Sequence, residues 1–417
     1  MTDSALDTDF LPVLIGGDIG VYGIGRSFHE AYGCRCIAVA SSPAAVISRS
    51  DFFDVEHIRP RADDDELLAV LIGIAAAFPK QRLVLMANHD LHSAFVARHY
   101  QTLSEYYALP FPDLETVEKI TDKASFAHIC ETLNIPTPQT RRVDFSQCED
   151  KTWEAPHIPF DFPVVAKAAR GDAYDAVRFE GKRKIWFIES AEELQSLWET
   201  LRVSGFRDTF LVQELIPGDN TNMWSITAYA DSHGDITLMG SARVLLEDHD
   251  PTMIGNPVAM ITEPHEELWE DAQRILLSTH YRGFANFDVK IDPRDGRAIF
   301  FEVNPRIGRN NWYMTAGGVN PMSFMVDDLL FGKRKTPATL RERILYSLVP
   351  DFLLLHYIRD NKLKNEVTDL IKQGKRVNPL EYRKETDIRR KIIVALQKLN
   401  HHRKFRRYYP EANDQSF

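Results

Sequence analysis

The sequence predicts an α/β protein in three parts. A parallel α/β domain occupies residues 1–115, a two-lobed α+β domain 116–335, and a helical, basic extension 336–417. Three observations predict this. Residues 11–115 alternate buried-strand and helix patterns, the mark of βαβ units around a parallel sheet. Residues 284–306 read as a hairpin with one polar face. Beyond residue 336 the pattern turns helical and its end turns basic. A chain of 417 residues has room for two to four domains.

Composition narrows the function. The chain is 44% hydrophobic and 26% charged, an ordinary globular balance. A net charge of −10 argues against a nucleic-acid-coating protein. Cys34, Cys36, Cys130 and Cys148 show no C-x-x-C spacing and no nearby histidine set. They read as buried thiols in a reducing compartment, not as a zinc site or disulfide framework. The acidic N-terminus has no apolar stretch, so no signal peptide is expected. The longest apolar run, Leu67 to Phe78, is too short to span a bilayer. The expected location is the cytoplasm, where ATP is.

In the first domain, Leu11–Ile15 is a short buried strand. Gly16, Gly17, Asp18, Gly20, Gly23 and Gly25 follow it, then a helical stretch Arg26–Tyr32. The spacing is not the dinucleotide G-x-G-x-x-G, and a Walker A motif is absent. Two readings of the glycines stand. They let a helix start close to the sheet, or they form a backbone nest that holds a carboxylate or phosphate at the helix N-terminus. Gly17 and Asp18 are substrate candidates on the second reading. Cys36–Ala40 is the second strand, Asp65–Phe78 a helix and Arg82–Met86 the third strand. Asn88 and Asp90 lie past that strand's C-terminal end, where open α/β sheets bind ligands, and join the substrate candidates.

Pro110-Phe-Pro112 marks the domain boundary. Thr121 or Asp122 caps a helix that runs to Leu133. Phe162–Ala169 is a buried strand carrying Lys167, and a lysine among apolar neighbours must find an anion or lose its proton. Ser190–Leu201 is an amphipathic helix. Phe210–Ile216 is a strand ending in a Pro217-Gly218 turn. Trp224–Ala230 and Ile236–Leu246 are neighbouring strands, and Glu263–Thr279 is a helix.

The hairpin carries the chemistry. Its turn is Asp292-Pro-Arg-Asp-Gly296. Phe287, Val289 and Ile291 share one face, and Asn286, Asp288 and Lys290 the other. On the return strand Ile299, Phe301 and Val303 share a face, with Glu302 and Asn304 opposite. If Asp288 lies across from Glu302, their Cβ atoms are about 5 Å apart. One carboxyl must then protonate unless a cation sits between them. With the Asn304 amide this makes an oxygen cluster suited to Mg²⁺. Arg306 is placed to neutralise charge on a transferred phosphoryl group. The bland alternative is an exposed hairpin with a wet polar face. A slip of one residue in register would separate the two carboxylates.

Phe301-Glu-Val-Asn-Pro-Arg306 resembles the metal-binding end of the ATP-grasp ligase family. Three more segments match in order: Asp122-Lys123 with its helix and Ile135-Pro-Thr-Pro138, Lys167 in its strand, and Gln213 to Asn220. The resemblance covers roughly residues 115–330. It implies that Lys123 and Lys167 hold nucleotide phosphates and that Gln213, Glu214 and Ile216 line adenine. Asp219 or Asn220 takes the ribose. Asp288, Glu302 and Asn304 bind Mg²⁺, two ions by the family pattern, with Mn²⁺ as an alternative. Arg306, with Arg243, steadies the phosphoryl group and a later oxyanion. The residues themselves place Arg309, Asn310 and Asn311, in the glycine-rich loop beside the cluster, as candidates to bind a carboxylate substrate. The lobe at about 135–205 carries a lid, residues 170–184, that departs from the family's commoner Gly/Ser-rich loop. Within the family, Ile15–Glu30, Gly308-Arg-Asn-Asn311 and the long tail resemble D-aspartate ligases of peptidoglycan cross-bridge synthesis.

The implied reaction is ATP-dependent amide formation through an acyl phosphate. D-aspartate would be joined to a lysine or ornithine side-chain amine in a peptidoglycan stem-peptide precursor. Two alternatives compete: a ligase joining other free amino acids or peptides, and a non-catalytic nucleotide-binding regulatory protein. The intact set Asp288, Glu302, Asn304 and Arg306 argues against the latter. In the tail, Leu340–Arg359 begins as a charged helix, and Asn361–Lys372 and Asp387–Leu399 are helical. Arg389, Arg390, Lys391, Lys398, Arg403, Lys404, Arg406 and Arg407 make its end basic. Such a run meets anionic lipid or an anionic substrate, or more commonly is a solvated helix face.

Overall fold

The computed structural model describes residues 8–150, 152–169, 173–174, 176–183, 185–250 and 253–411. The chain forms two compact units. Pro136–Pro217 makes the smaller, and the chain before and after it makes the larger.

The larger unit contains two sheets. The first has five parallel strands in the order Phe53–His57, Cys36–Ala40, Phe10–Ile15, Arg82–Ala87 and Tyr107–Ala108. Its central strand is buried at every position, which is why it reads as an unbroken apolar run. The helix Ile19–Tyr32 follows at once. Asp18 caps it, accepting from the Gly20 and Val21 amides at 3.0 and 3.1 Å. Gly33, left-handed at φ 67°, ends it.

The second sheet has eight strands and is mostly antiparallel. Its order is Ala298–Asn304, Gly283–Ile291, Met223–Ala230, Ile236–Glu247, Pro257–Thr262, Leu345–Ser347 and Arg376–Val377, with Ala338–Thr339 beside Ile236–Glu247. One of its faces packs Trp224, Phe287, Val289 and Phe300 on Leu268, Trp269 and Ile275 of the helix Glu266–Ser278. A larger core joins Phe10, Val21 and Phe28 to Leu245 and Met260, and both to Leu354, Val367, Val394 and Phe405. The C-terminal segment is therefore part of the unit's main core and not an appended arm.

Two local expectations change. A helix does not start at Leu340. Residues 340–344 lead into the strand Leu345–Ser347, which pairs antiparallel with Pro257–Thr262. Sheet pairing takes the backbone groups a helix would need, and the helix begins only at Asp351, after Pro350. The last helix is also longer than expected, Ile388–Tyr408, capped by Asp387. Arg390 anchors it. This side chain is 1% exposed and donates to the Val46 carbonyl at 3.0 Å and the Leu380 carbonyl at 3.2 Å, with Glu385 at 3.3 Å.

The smaller unit is a four-stranded antiparallel sheet in the order Thr140–Asp144, Thr209–Glu214, Val164–Ala168 and Trp186–Ile188. Val143, Phe145, Val164, Phe210 and Val212 pack against Trp198 and Leu201 of the helix Ala191–Val203. Arg170, Gly171, Asp172, Asp175 and Lys184 of the expected lid lie outside the described residues. Within the described part, Tyr174 is buried among Phe179, Phe206 and Phe210, and its hydroxyl donates to the Arg183 carbonyl at 2.9 Å.

Candidate active site

The hairpin register pairs Asn286 with Asn304 and Asp288 with Glu302. A bulge then follows between Asp288 and Val289, so Val289 pairs with Phe300. Alternation slips there, and Phe300, not Phe301, fills the core. The bulge lies beyond the acidic pair and leaves it on the polar face.

Burial is the main force on Asp288. Together with the charge of Glu302 it pushes the Asp288 carboxyl up to about 7, against the pull of Arg306 and a hydrogen bond from Asn304. That bond, Asn304 Nδ2 to Asp288 Oδ2, is 3.1 Å. Asn286 Nδ2 reaches Asp288 Oδ1 at 3.4 Å, and Ser225 Oγ donates to Asn286 Oδ1 at 3.1 Å. Glu302 is half exposed and takes Lys123 Nζ at 3.3 Å. Among the described residues, no group of three or more His, Cys, Asp or Glu residues could hold a metal. Two carboxylates and an amide form a partial hard-oxygen shell, which suits a cation completed by phosphate oxygens and water. The donor set is the fit test: Asp288 and Glu302 face each other across the hairpin with Asn304 beside them, an arrangement of hard oxygens that suits a cation.

Beside this cluster runs a polar network. Arg306 Nε donates to Asp90 Oδ1 at 2.9 Å. Arg309 Nε donates to Asp18 Oδ2 at 3.0 Å, and Asn88 Nδ2 to Asp18 Oδ1 at 3.1 Å. Asn310 is buried and accepts from the Tyr346 hydroxyl at 3.3 Å. Five residues singled out in separate stretches (Asp18, Asn88, Asp90, Arg306 and Arg309) thus meet here, with Gly17 leading into the capped helix. The structure also answers the glycine question. Asp18 itself occupies the amides of the helix start. A Cβ on Gly20 would lie 2.0 Å from Asn88 Nδ2 and 2.9 Å from the Arg309 carbonyl oxygen, so close approach requires glycine. Gly20→Ala should cost about 1–3 kcal/mol by overpacking and displace Arg309; denaturant melts and the KM for the acid substrate check this.

Asp219 and Asn220 sit on another part of the sheet. Asp219 caps a short turn through the Thr221 amide at 2.8 Å. Asn220 is buried, donating to Glu247 Oε2 at 3.4 Å and accepting from the Glu247 amide at 3.2 Å. Arg243 is not brought to the acidic pair. It registers with Trp224, itself opposite Val289, which places it on the sheet face away from Asp288. Its Nε donates to the Thr221 carbonyl at 2.6 Å. In the smaller unit, Lys167 is half-buried on the strand Val164–Ala168, opposite Leu211. Gln213 Nε2 donates to Thr140 Oγ1 at 2.9 Å, the Glu214 amide donates to the Gln139 carbonyl at 2.8 Å, and Ile216 is buried.

Two residues that the sequence placed on this polar face were given no role there. Asn286 orients Asp288 from the same strand. Lys290 is buried two residues beyond Asp288 and pushed down to about 8 by burial, against the pull of Glu247, Asp219 and Asp292. The signal for both was their place on the polar face of an alternating strand.

This arrangement defines a class: a nucleotide-dependent ligase of the ATP-grasp fold. Residues 122–316 match the family model described as the carbamoyl-phosphate synthase L chain, ATP binding domain. The chain is 32% identical, over 98% of its length and 99% of the relative's, to a D-aspartate ligase of Enterococcus faecium. Among solved structures, the biotin carboxylase domain of Hydrogenobacter thermophilus 2-oxoglutarate carboxylase, in complex with MgADP, ADP and bicarbonate, aligns with a TM-score of 0.58 at 16% identity, covering 80% of this chain and 73% of that one. An L-amino acid ligase from Bacillus licheniformis aligns at 0.51 and 15% identity, covering 77% and 74%. The chain belongs to the D-aspartate ligase family of ATP-grasp carboxylate–amine ligases.

Proposed function

We propose that this ligase joins D-aspartate to the side-chain amine of a lysine or ornithine in a peptidoglycan stem-peptide precursor, in the cytoplasm. The observation that carries the chemistry is the Asp288–Glu302 pair with Asn304, an oxygen cluster suited to a cation. The identity of the acid is supported by the full-length likeness to the Enterococcus faecium enzyme. Free, buried Cys34, Cys36, Cys130 and Cys148 are consistent with a reducing compartment. No helix of the described residues is long and apolar enough to cross a membrane.

In the reaction, a carboxylate oxygen attacks the γ-phosphorus of ATP, the bond to the β–γ bridging oxygen breaks, and ADP leaves. The amine nitrogen then attacks the acyl carbon. The acyl–oxygen bond breaks, inorganic phosphate leaves, and the nitrogen loses a proton. Two Mg²⁺ ions on Asp288, Glu302 and Asn304 would offset phosphate charge. Lys123 and Lys167 bind phosphate oxygens. Gln213, Glu214 and Ile216 hold adenine, and Asp219 or Asn220 the ribose. Arg306 stabilises the transferring phosphoryl group and, from the other sheet face, Arg243 holds the Thr221 turn next to the ribose position. Gly17, Asp18, Asn88, Asp90, Arg309 and Asn310 serve the substrate side, with Arg309 and Asn310 on the acid's carboxylate.

The test is phosphate release from Mg-ATP across D- and L-amino acids, with and without a lysine-containing muramyl peptide. Release that needs both D-aspartate and the peptide is the expected result. Release with two free amino acids moves the substrates elsewhere. ATP binding without turnover on any pair overturns the ligase reading.

The outer face of the last helix fits peripheral contact with anionic lipid. Ile388, Ile392, Leu396 and Leu399 are each more than half exposed, and residues 388–408 carry no acidic side chain and eight Lys and Arg, of which Arg390 is buried. An apolar stripe with cations favours an anionic surface, whereas a second copy would bring like charges together. Co-sedimentation with phosphatidylglycerol vesicles at low salt, lost in Leu396→Asp and absent with neutral vesicles, is the expected outcome.

A further inference from the structure

A cavity of about 310 Å³ lies between the loop after the hairpin and the last helix. Arg309 and Ile19 line it on one side, and Lys398, His401 and Lys404 on the other, with Asp248 between. We propose that this cavity holds the acid substrate, an aminodicarboxylate, and that Lys404 with His401 grips the carboxylate that does not react. The inference rests on the ligase reading and names the substrate pocket of that site.

Its place is the first argument. Arg309 is tied through Asp18 to Asn88, and Asn88 neighbours Asp90, the partner of Arg306. The Arg306 amide donates to the carbonyl of Asn304, a member of the cluster, at 2.8 Å. One polar network therefore joins the cavity to the metal-type cluster. A ligand with one end at Arg309 and the other at Lys404 has a second carboxylate on the side away from the chemistry.

Size and charge select the ligand. The volume equals about ten waters and stands at the low end of ligand pockets, which suits a single amino acid and not a stem peptide. An apolar void would stay dry and need no charged wall. This wall holds Arg309, Lys398 and Lys404. Lys404 rests on Asp250 at 3.2 Å and Asp248 at 3.9 Å, and Lys398 on Glu381 at 3.2 Å. His401 Nδ1 is buried with no hydrogen-bond partner among the described residues. A buried polar atom in that state is available to a ligand group. Asp248, 5% exposed, is an acceptor for a substrate ammonium. The lining residues His401 and Lys404 lie outside the segment 122–316 that carries the nucleotide-binding likeness. On this reading the C-terminal helix is the part of the chain that selects the acid.

The experiment compares wild type with Lys404→Gln, Lys404→Arg and the cavity-filling Gln397→Phe. Lys404→Gln should raise the KM for D-aspartate on the order of tenfold to a hundredfold, the loss of a charge-assisted contact, with the KM for ATP changed by less than about twofold. It should also flatten the preference for D-aspartate over D-alanine. Lys404→Arg should restore most of the affinity, and Gln397→Phe should weaken it without touching Lys404. An unchanged KM for D-aspartate in both Lys404→Gln and Gln397→Phe overturns the proposal. If wild type shows no turnover with D-aspartate, the ligase reading fails separately, and calorimetric titration with D-aspartate and with succinate decides the pocket. Binding to wild type that is lost in Lys404→Gln supports it, and equal or absent binding overturns it.

Discussion

Asp288→Asn should make the metal-free protein more stable and at the same time inactive. Burial and the Glu302 charge raise the Asp288 carboxyl from an ordinary value to about 7, so the folded chain resists its ionisation. The sign follows from linkage. A raised folded-state value means a contribution that is fully present below the unfolded value and is lost as pH rises through about 7. The asparagine has no charge to lose. The gap between variant and wild type should therefore open between about pH 4 and pH 7 and stay constant above, reaching on the order of 1–3 kcal/mol. Thermal melts across pH in EDTA measure it; no gap at pH 8 would mean that the pair is already relieved by other means. Mg²⁺ should reverse the order. It should stabilise wild type more at pH 8 than at pH 6, because below about 7 it must displace a proton. Turnover of Asp288→Asn, like that of Glu302→Ala, should fall at least about a hundredfold, since a lost ligand misplaces the phosphates.

The second large effect is expected at Arg306. This side chain is 13% exposed and its Nε is held by Asp90 at 2.9 Å. Arg306→Lys keeps the charge but loses the planar fork that can grip a carboxylate and a phosphoryl oxygen together. Its kcat should fall about 10²–10³-fold, the loss typical of a group that acts on charge developing in the transition state. The KM for ATP should change little, because Arg306 serves the transferring group and not the base or ribose. Asp90→Asn leaves the guanidinium in place but loosens it, so a loss of roughly tenfold is expected. Single-turnover phosphate release separates these effects from product release. An Arg306→Lys enzyme with normal kcat and raised KM for ATP would assign Arg306 to ground-state binding.

How far the site could be read from the chain depends on distance along it. Asp288, Glu302 and Asn304 lie on two strands joined by a short turn, so alternation alone brought them to one face. Asp122 as the cap of its helix was legible for the same reason. The tail was not. Its buried anchor Arg390 reaches the Val46 carbonyl, far away in sequence, and looked like one more member of a basic run. Arg243 shows the opposite error. Its residue type fitted a phosphate contact, yet its register with Trp224 puts it on the other face. The helix start expected at Leu340 failed because helix propensity there yields to pairing at a sheet edge.

Resemblance to the ATP-grasp family supplied the nucleotide lysines; the chain's own pattern supplied an oxygen cluster on a hairpin and a parallel α/β domain ahead of it. These are local periodicities and short-range spacings, which side-chain direction alone converts into geometry. Only the tertiary structure decided that Asp18, Asn88, Asp90, Arg306 and Arg309 form one network, and that the last helix walls a cationic cavity beside it. Such contacts come from packing distant segments onto a common core, where burial and excluded volume choose the partners and no period in the chain records them.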